Sequence, residues 1–135
     1  MLVQYRNLKV TLRELSYLDG LKRNAFNKRF IPALPKGASD EEQEIDTGKY
    51  NFTYALQSAT TEKGEMTLEG ATLPAFGAIR TQKEFDAAFE TFSGLNGGFV
   101  NLWIAGVASA GLENDDPATK PPERLTAEEK ADPQS

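Results

Sequence analysis

Residues 10–30 read VTLRELSYLDGLKRNAFNKRF, the longest stretch in which pattern and end signals agree on one helix. Thr11 followed three residues later by Glu14 is the spacing of a capping box, and Val10 with Leu15 that of a hydrophobic staple. Leu12, Leu15, Leu18, Leu21, Ala25 and Phe26 recur at steps of three and four and share one helical face, which predicts a core-facing stripe. Lys22, Arg23, Lys28 and Arg29 fall in the second half, where cations favour the negative end of the helix dipole. Pro32 and Pro35 close it. Gly20 costs about 1 kcal/mol relative to alanine and predicts a bend.

Upstream, residues 1–10 alternate weakly, with Asn7 as a turn residue, and predict a short β hairpin leading into the helix. Downstream, residues 32–47 hold two prolines, a glycine and five acids between positions 40 and 46. They predict an exposed loop with at most a helical turn from Ser39 or Asp40. The acids lack the offsets of a calcium loop. Residues 48–63 are ambiguous: Tyr50, Phe52, Tyr54 and Leu56 alternate as in a strand. Phe52, Ala55, Leu56 and Ala59 also share a helical face, with Asp46 or Thr47 as cap, and the balance favours a helix. Residues 64–79, with three glycines and a proline, predict a connector with one short turn. It crosses an apolar surface through Met66, Leu68, Leu73 and Phe76, and its glycines lack the Lys-Ser/Thr signature of a phosphate loop.

Two C-terminal helices follow. Thr81 and Glu84 form a capping box ahead of Phe85, Ala88, Phe89 and Phe92, an aromatic stripe at i, i+3, i+4 and i+7. Residues 96–112 place Phe99, Leu102, Trp103, Gly106, Val107 and Ala110 on one face and small residues on the other. Neighbours can pack closely on such a helix, or it can self-associate. Burial in the core is the favoured reading of both stripes, because aromatics at this spacing usually bury; the alternative is a groove for another protein's apolar segment, which makes Phe85, Phe89, Phe92, Phe99 and Trp103 the candidate protein-binding residues. The expected architecture is mostly α: a short N-terminal β hairpin and about four helices in residues 1–111. A disordered, acidic, proline-rich tail is expected in residues 112–135.

Composition narrows the chemistry. The 135 residues contain no cysteine and no histidine, which excludes disulfides, thiolate or imidazole metal sites and Ser-His-Asp catalysis. Acid–base catalysis would rest on carboxylate pairs such as Glu84/Asp86 or Asp115/Asp116, and nothing marks a cleft around them. The expectation is a non-enzymatic protein without cofactor or metal. No apolar run is long enough for a membrane span, and no signal peptide is evident. Net charge is −5 but uneven. Residues 1–38 carry eight Lys/Arg against Glu14 and Asp19; residues 112–135 carry seven acids against three bases, so the ends can attract one another. The cations at 22, 23, 28 and 29 also suggest a phosphate-binding patch, as in a small DNA-binding regulator. The acidic total and the lack of a nucleic-acid motif argue against it.

Val10, Thr11, Leu12, Glu14, Leu15 and Ser16, after a short alternating start, resemble the opening of the lambda-type tail assembly chaperones of long-tailed bacteriophages. The order behind them is similar too: a variable loop, a helix after Asp46 and Gly48, a connector, two C-terminal helices and a charged Pro/Glu-rich tail. The match in detail covers about residues 8–24, and the glycine-rich helix at 96–111 departs from the pattern. The resemblance implies a protein of the infected host cytoplasm, absent from the mature virion. It would bind the tape measure protein, keep it soluble and help recruit tail tube protein through a longer form made by ribosomal frameshifting. It implies a homo-oligomer, with no nucleic acid or membrane partner. Another small phage morphogenesis protein is the neighbouring reading.

Overall fold

A computed structural model describes residues 1–60, 64–68 and 70–114, with residues 110–114 as backbone only. The fold is mostly helical, with a hairpin at the front. Strands β1 (Leu2–Tyr5) and β2 (Leu8–Thr11) pair antiparallel, Leu2 opposite Thr11 and Tyr5 opposite Leu8. The turn between them places Arg6, rather than Asn7, in the left-handed region at φ 57°. Helices α1 (Tyr17–Phe30) and α2 (Asp40–Ser58) follow. A second antiparallel hairpin, β3 (Met66–Leu68) and β4 (Ala71–Leu73), turns at Gly70 with φ +85°. A single 3-10 turn (Phe76–Ala78) leads to α3 (Gln82–Ser93) and α4 (Gly97–Asn114).

The expected start of the first helix is wrong by five residues, the cap lying at Ser16 rather than Thr11. Thr11 does not cap; it closes the hairpin ladder. Leu8, Val10 and Leu12 alternate inward, and the extended backbone continues to a bridge between Leu12 and Ala59, with the Arg13 amide donating to the Ser58 carbonyl. Period two therefore wins over the Thr11/Glu14 signature, because it buries three apolar side chains and satisfies the backbone at once. The working cap is Ser16, whose hydroxyl accepts from the Asp19 amide while Asp19 accepts from the Ser16 amide.

The predicted apolar stripe of α1 also divides. Leu12 and Leu15 are buried, but they precede the helix. Within it Gly20, Arg23 and Phe30 turn inward, while Leu18 (56% exposed), Leu21 (43%) and Ala25 face solvent. Gly20 does not mark a bend between helices; it is one of the buried positions of α1.

The acidic run at 40–46 is exposed as expected but is helix rather than loop. Ser39 and Glu42 form a capping box, and Asp40, Glu41 and Glu42 sit in the first turn, where negative charge is favoured. The helix favoured for residues 48–63 is present as the second half of α2, which ends at Ser58; residues 61–63 lie outside the described residues. The connector at 64–79 is a hairpin plus one turn, and Met66, Leu68 and Leu73 are buried as expected. The Thr81/Glu84 box and its helix stand as read. Helix α4 runs past the expected boundary at 111 to Asn114; the expected tail beyond it lies outside the described residues.

Aromatic rings link the core across all four helices. Phe26 stacks on Phe76 at 4.5 Å, Phe30 on Phe85 at 5.6 Å, and Phe85 meets Phe52 at 5.7 Å. Phe52 meets Phe92 at 5.0 Å, Phe92 meets Trp103 at 5.4 Å, and Trp103 meets Phe99 at 5.7 Å. Such pairs add about 0.5–1.5 kcal/mol each beyond their burial. The β1–β2 hairpin packs on α4 over two glycines. A Cβ at Gly106 would lie 2.9 Å from Val3 Cγ2 and Leu12 Cδ1, and one at Gly98 would lie 3.1 Å from Tyr5 Cζ. The small residues of α4 thus serve close packing by the hairpin.

Candidate interaction surface

Of the five candidate binding residues, Phe85, Phe92, Phe99 and Trp103 are core. Only Phe89 is partly exposed. It forms the floor of an open groove of about 250 Å³ between α2, α3 and α4. Gly48 and Asn51 form the α2 wall, and Leu95, Val100 and Ile104 complete the apolar lining. Ser93 and Asn101 stand on the rim, and no lining residue is charged. The side of α4 read from sequence as carrying small residues therefore also carries Val100 and Ile104, four residues apart and away from Trp103. That spacing was readable, but the run of glycines and alanines behind it hid the signal.

The second apolar surface is the outer face of α1, where Leu18, Leu21 and Ala25 lie between Lys22 on one side and Lys28 on the other. Arg23, counted with the cations, is 7% exposed. Its guanidinium donates to Gln57 Oε1 at 2.8 Å and lies 4.5 Å over the Tyr54 ring, while Gln57 Nε2 donates to the Asp19 carbonyl. Burial lowers its pKa, against the attraction of Tyr54 and Asp19. Arg29 donates to the Arg80 carbonyl at 2.6 Å. Of the four cations of the basic patch read from sequence, Arg23 alone is buried; Arg29 is exposed but tied to a backbone carbonyl, and Lys22 and Lys28 are exposed.

Two carboxylates anchor helix starts. Burial raises the pKa of Asp19, but hydrogen bonds from Arg13 at 3.0 Å and from Ser16 outweigh it and hold the carboxyl below its ordinary value. The amides of Arg80 and Thr81 hold Glu84 below its ordinary value in the same way. Both are caps; Asp86, the other carboxylate of the Glu84/Asp86 pair, accepts from Gln82 Nε2. Among the described residues, no group of three or more His, Cys, Asp or Glu side chains is placed to hold a metal ion, and no helix is long and apolar enough to cross a membrane. No family model, no curated protein and no solved structure matches the chain.

Proposed function

We propose that this chain is a tail assembly chaperone of a long-tailed bacteriophage, which binds the tape measure protein, keeps it soluble and helps recruit tail tube subunits. The observation that carries the reading is apolar surface left outside a closed core. Leu2 on the hairpin, Leu18 and Leu21 on α1, Ile45 and Tyr50 on α2 and Leu102 on α4 are all exposed. A long helical client offers apolar stripes to such a surface. The residues that resemble the chaperone family, Val10 to Leu12 and Glu14 to Ser16, build the join between hairpin and α1, the two elements that carry Leu2, Leu18 and Leu21.

Co-expression with the product of the longest open reading frame downstream tests it. The expected result is a soluble, helix-rich partner that co-purifies, and a Leu2→Ser/Leu102→Ser variant that folds but loses it. A partner that stays insoluble or separates refutes the proposal. A small DNA-binding regulator is the competing reading and would work through Lys22 and Lys28. It predicts a DNA mobility shift that Lys22→Glu/Lys28→Glu abolishes; the chaperone predicts no shift for either protein.

A further inference from the structure

We infer that residues 123–129 of this chain, ERLTAEE, lie across the outer face of α1 in the same molecule and cover its exposed leucines. The face carries Tyr17, Leu18, Leu21 and Ala25, all exposed, which the fold turns outward by burying Gly20 and Arg23. Every exposed charge on α1 is a cation: Lys22, Lys28 and Arg29. The helix's one acid, Asp19, is engaged by the Ser16 amide and by Arg13.

Composition says only that a basic front attracts an acidic rear; the structure narrows where. Among the front cations, Arg13 pairs with Asp19 and Arg23 is buried against Gln57 and Tyr54, whereas Lys22 and Lys28 stand exposed beside exposed leucines. Ile45, the exposed apolar residue of the first half of α2, suits an acidic segment less well, with Glu41 and Glu42 one turn before it and Lys49 one turn after. Residues 115–135 carry six acids against three bases, and Leu125 is their only large apolar side chain, with Glu123, Glu128 and Glu129 within four residues of it. An apolar strip among cations is thus matched by a leucine among carboxylates.

The path of α4 brings the segment within reach. Gly98 packs against Tyr5, and Gly106 against Val3, Leu12 and Met1, so α4 runs along the hairpin from its turn to its open end. From that end the chain leaves Leu12 for α1. Gly106 to Asn114 is about 12 Å of helix, and Leu12 to Tyr17 spans at most about 17 Å, while residues 115–125 extend up to about 36 Å, enough to carry Leu125 to Leu18. A tether of this length gives a local concentration on the order of millimolar, so a leucine and a few surface ion pairs suffice.

The contact does not rest on the tail assembly reading. Under that reading the tail and the client share Leu18 and Leu21, and the tail shields them until a client displaces it.

Paramagnetic broadening of backbone amide signals in the full chain tests the inference. The sequence has no cysteine, so Ala131→Cys carries a single nitroxide just outside the docked segment. The expected result is selective loss of the amide signals of residues 17–29, those of α3 being retained. The signals return in roughly 1 M salt, where screening reaches about 3 Å. Lys22→Glu/Lys28→Glu also brings them back, and adding Glu128→Lys/Glu129→Lys to that variant removes them again; thermal melting checks that each variant is folded. Broadening spread evenly over the surface, broadening of the α2–α3–α4 groove instead, or a double reversal that does not restore the contact overturns the inference. A mixture of nitroxide-bearing chains with isotope-labelled chains lacking the nitroxide is expected to show no loss in α1. Loss there would place the tail of one copy on another and overturn the contact within one molecule. Co-expression with the client bears on none of these outcomes, so the two readings fail separately.

Discussion

Leu15 and Leu21 are both leucines on the stripe that residues 10–30 present to a helical reading, and the structure sets them apart. Leu15 is 2% exposed in the segment between hairpin and helix, and Leu21 is 43% exposed on the outer face of α1. Truncating a buried leucine removes its transfer free energy and leaves a cavity, together costing about 2–5 kcal/mol. The segment around Leu15 is pinned before it by backbone bonds from Leu12 to Met1 and from Arg13 to Ser58, and after it by the Ser16/Asp19 cap, so it has little freedom to collapse. The upper half of that range, about 3–4 kcal/mol, applies. Leu21→Ala leaves no cavity and puts a slightly better helix former on an exposed face, so the change stays within about 0.5 kcal/mol. For a domain of this size each kcal/mol moves the midpoint by about 3–6 °C, so Leu15→Ala lowers Tm by about 10–20 °C and Leu21→Ala by less than about 3 °C. Urea denaturation of dilute protein measures both, with equal slopes as the check on two-state behaviour. Equal losses at the two positions would refute the placement of α1. So would a Leu15→Ala loss below about 1 kcal/mol.

Three further outcomes follow from particular contacts. Gly48→Ala gains about 1 kcal/mol of helix propensity, because its Cβ meets only the Phe89 ring at ordinary contact distance, Cζ at 3.7 Å and Cε1 at 3.9 Å. Gly106→Ala carries the same gain but sets a methyl 2.9 Å from Val3 and Leu12, where overpacking costs about 1–3 kcal/mol, so melting should rise for the first and fall for the second. Arg23→Ala leaves Gln57 Oε1 without its donor and empties the space over Tyr54, a loss of about 2–3 kcal/mol in denaturant; Arg23→Met, which keeps the stem, loses less. Asp19 and Glu84 have folded pKa values below their ordinary 3.8 and 4.5, so their contributions are present at higher pH and lost as pH falls through the folded values. Stability should therefore fall in acid below about pH 4, and Asp19→Asn with Glu84→Gln should flatten that limb of a Tm–pH curve.

The chain's local signals were enough for every helix to be anticipated in some form, and for one to be placed in full. In α3, the Thr81/Glu84 cap and the aromatic spacing agree, so local and tertiary preferences coincide. Ser39-x-x-Glu42 and Ser16-x-x-Asp19 are equally local and equally legible, yet each was masked by a competing pattern: a run of acids in one case, a nearer Thr/Glu pair in the other. A capping box states that a helix can begin; it does not state that the chain there is free to be helical.

What only the tertiary structure decided is which apolar face looks inward. Helical spacing groups Leu18, Leu21 and Ala25 with Leu15, but side-chain hydrophobicity carries no direction. The direction came from Gly20 and Arg23, a residue without a side chain and a cation, which face inward because α1 approaches α2 closely and Gln57 and Tyr54 are placed to receive the guanidinium. The same holds for the groove, since Phe89, Leu95, Val100 and Ile104 come from separate segments and meet only when α3 and α4 pack on α2. Caps, turns and periodicity are written in residues a few positions apart and are read from sequence. A surface is written in residues far apart, and only the folded chain brings it together.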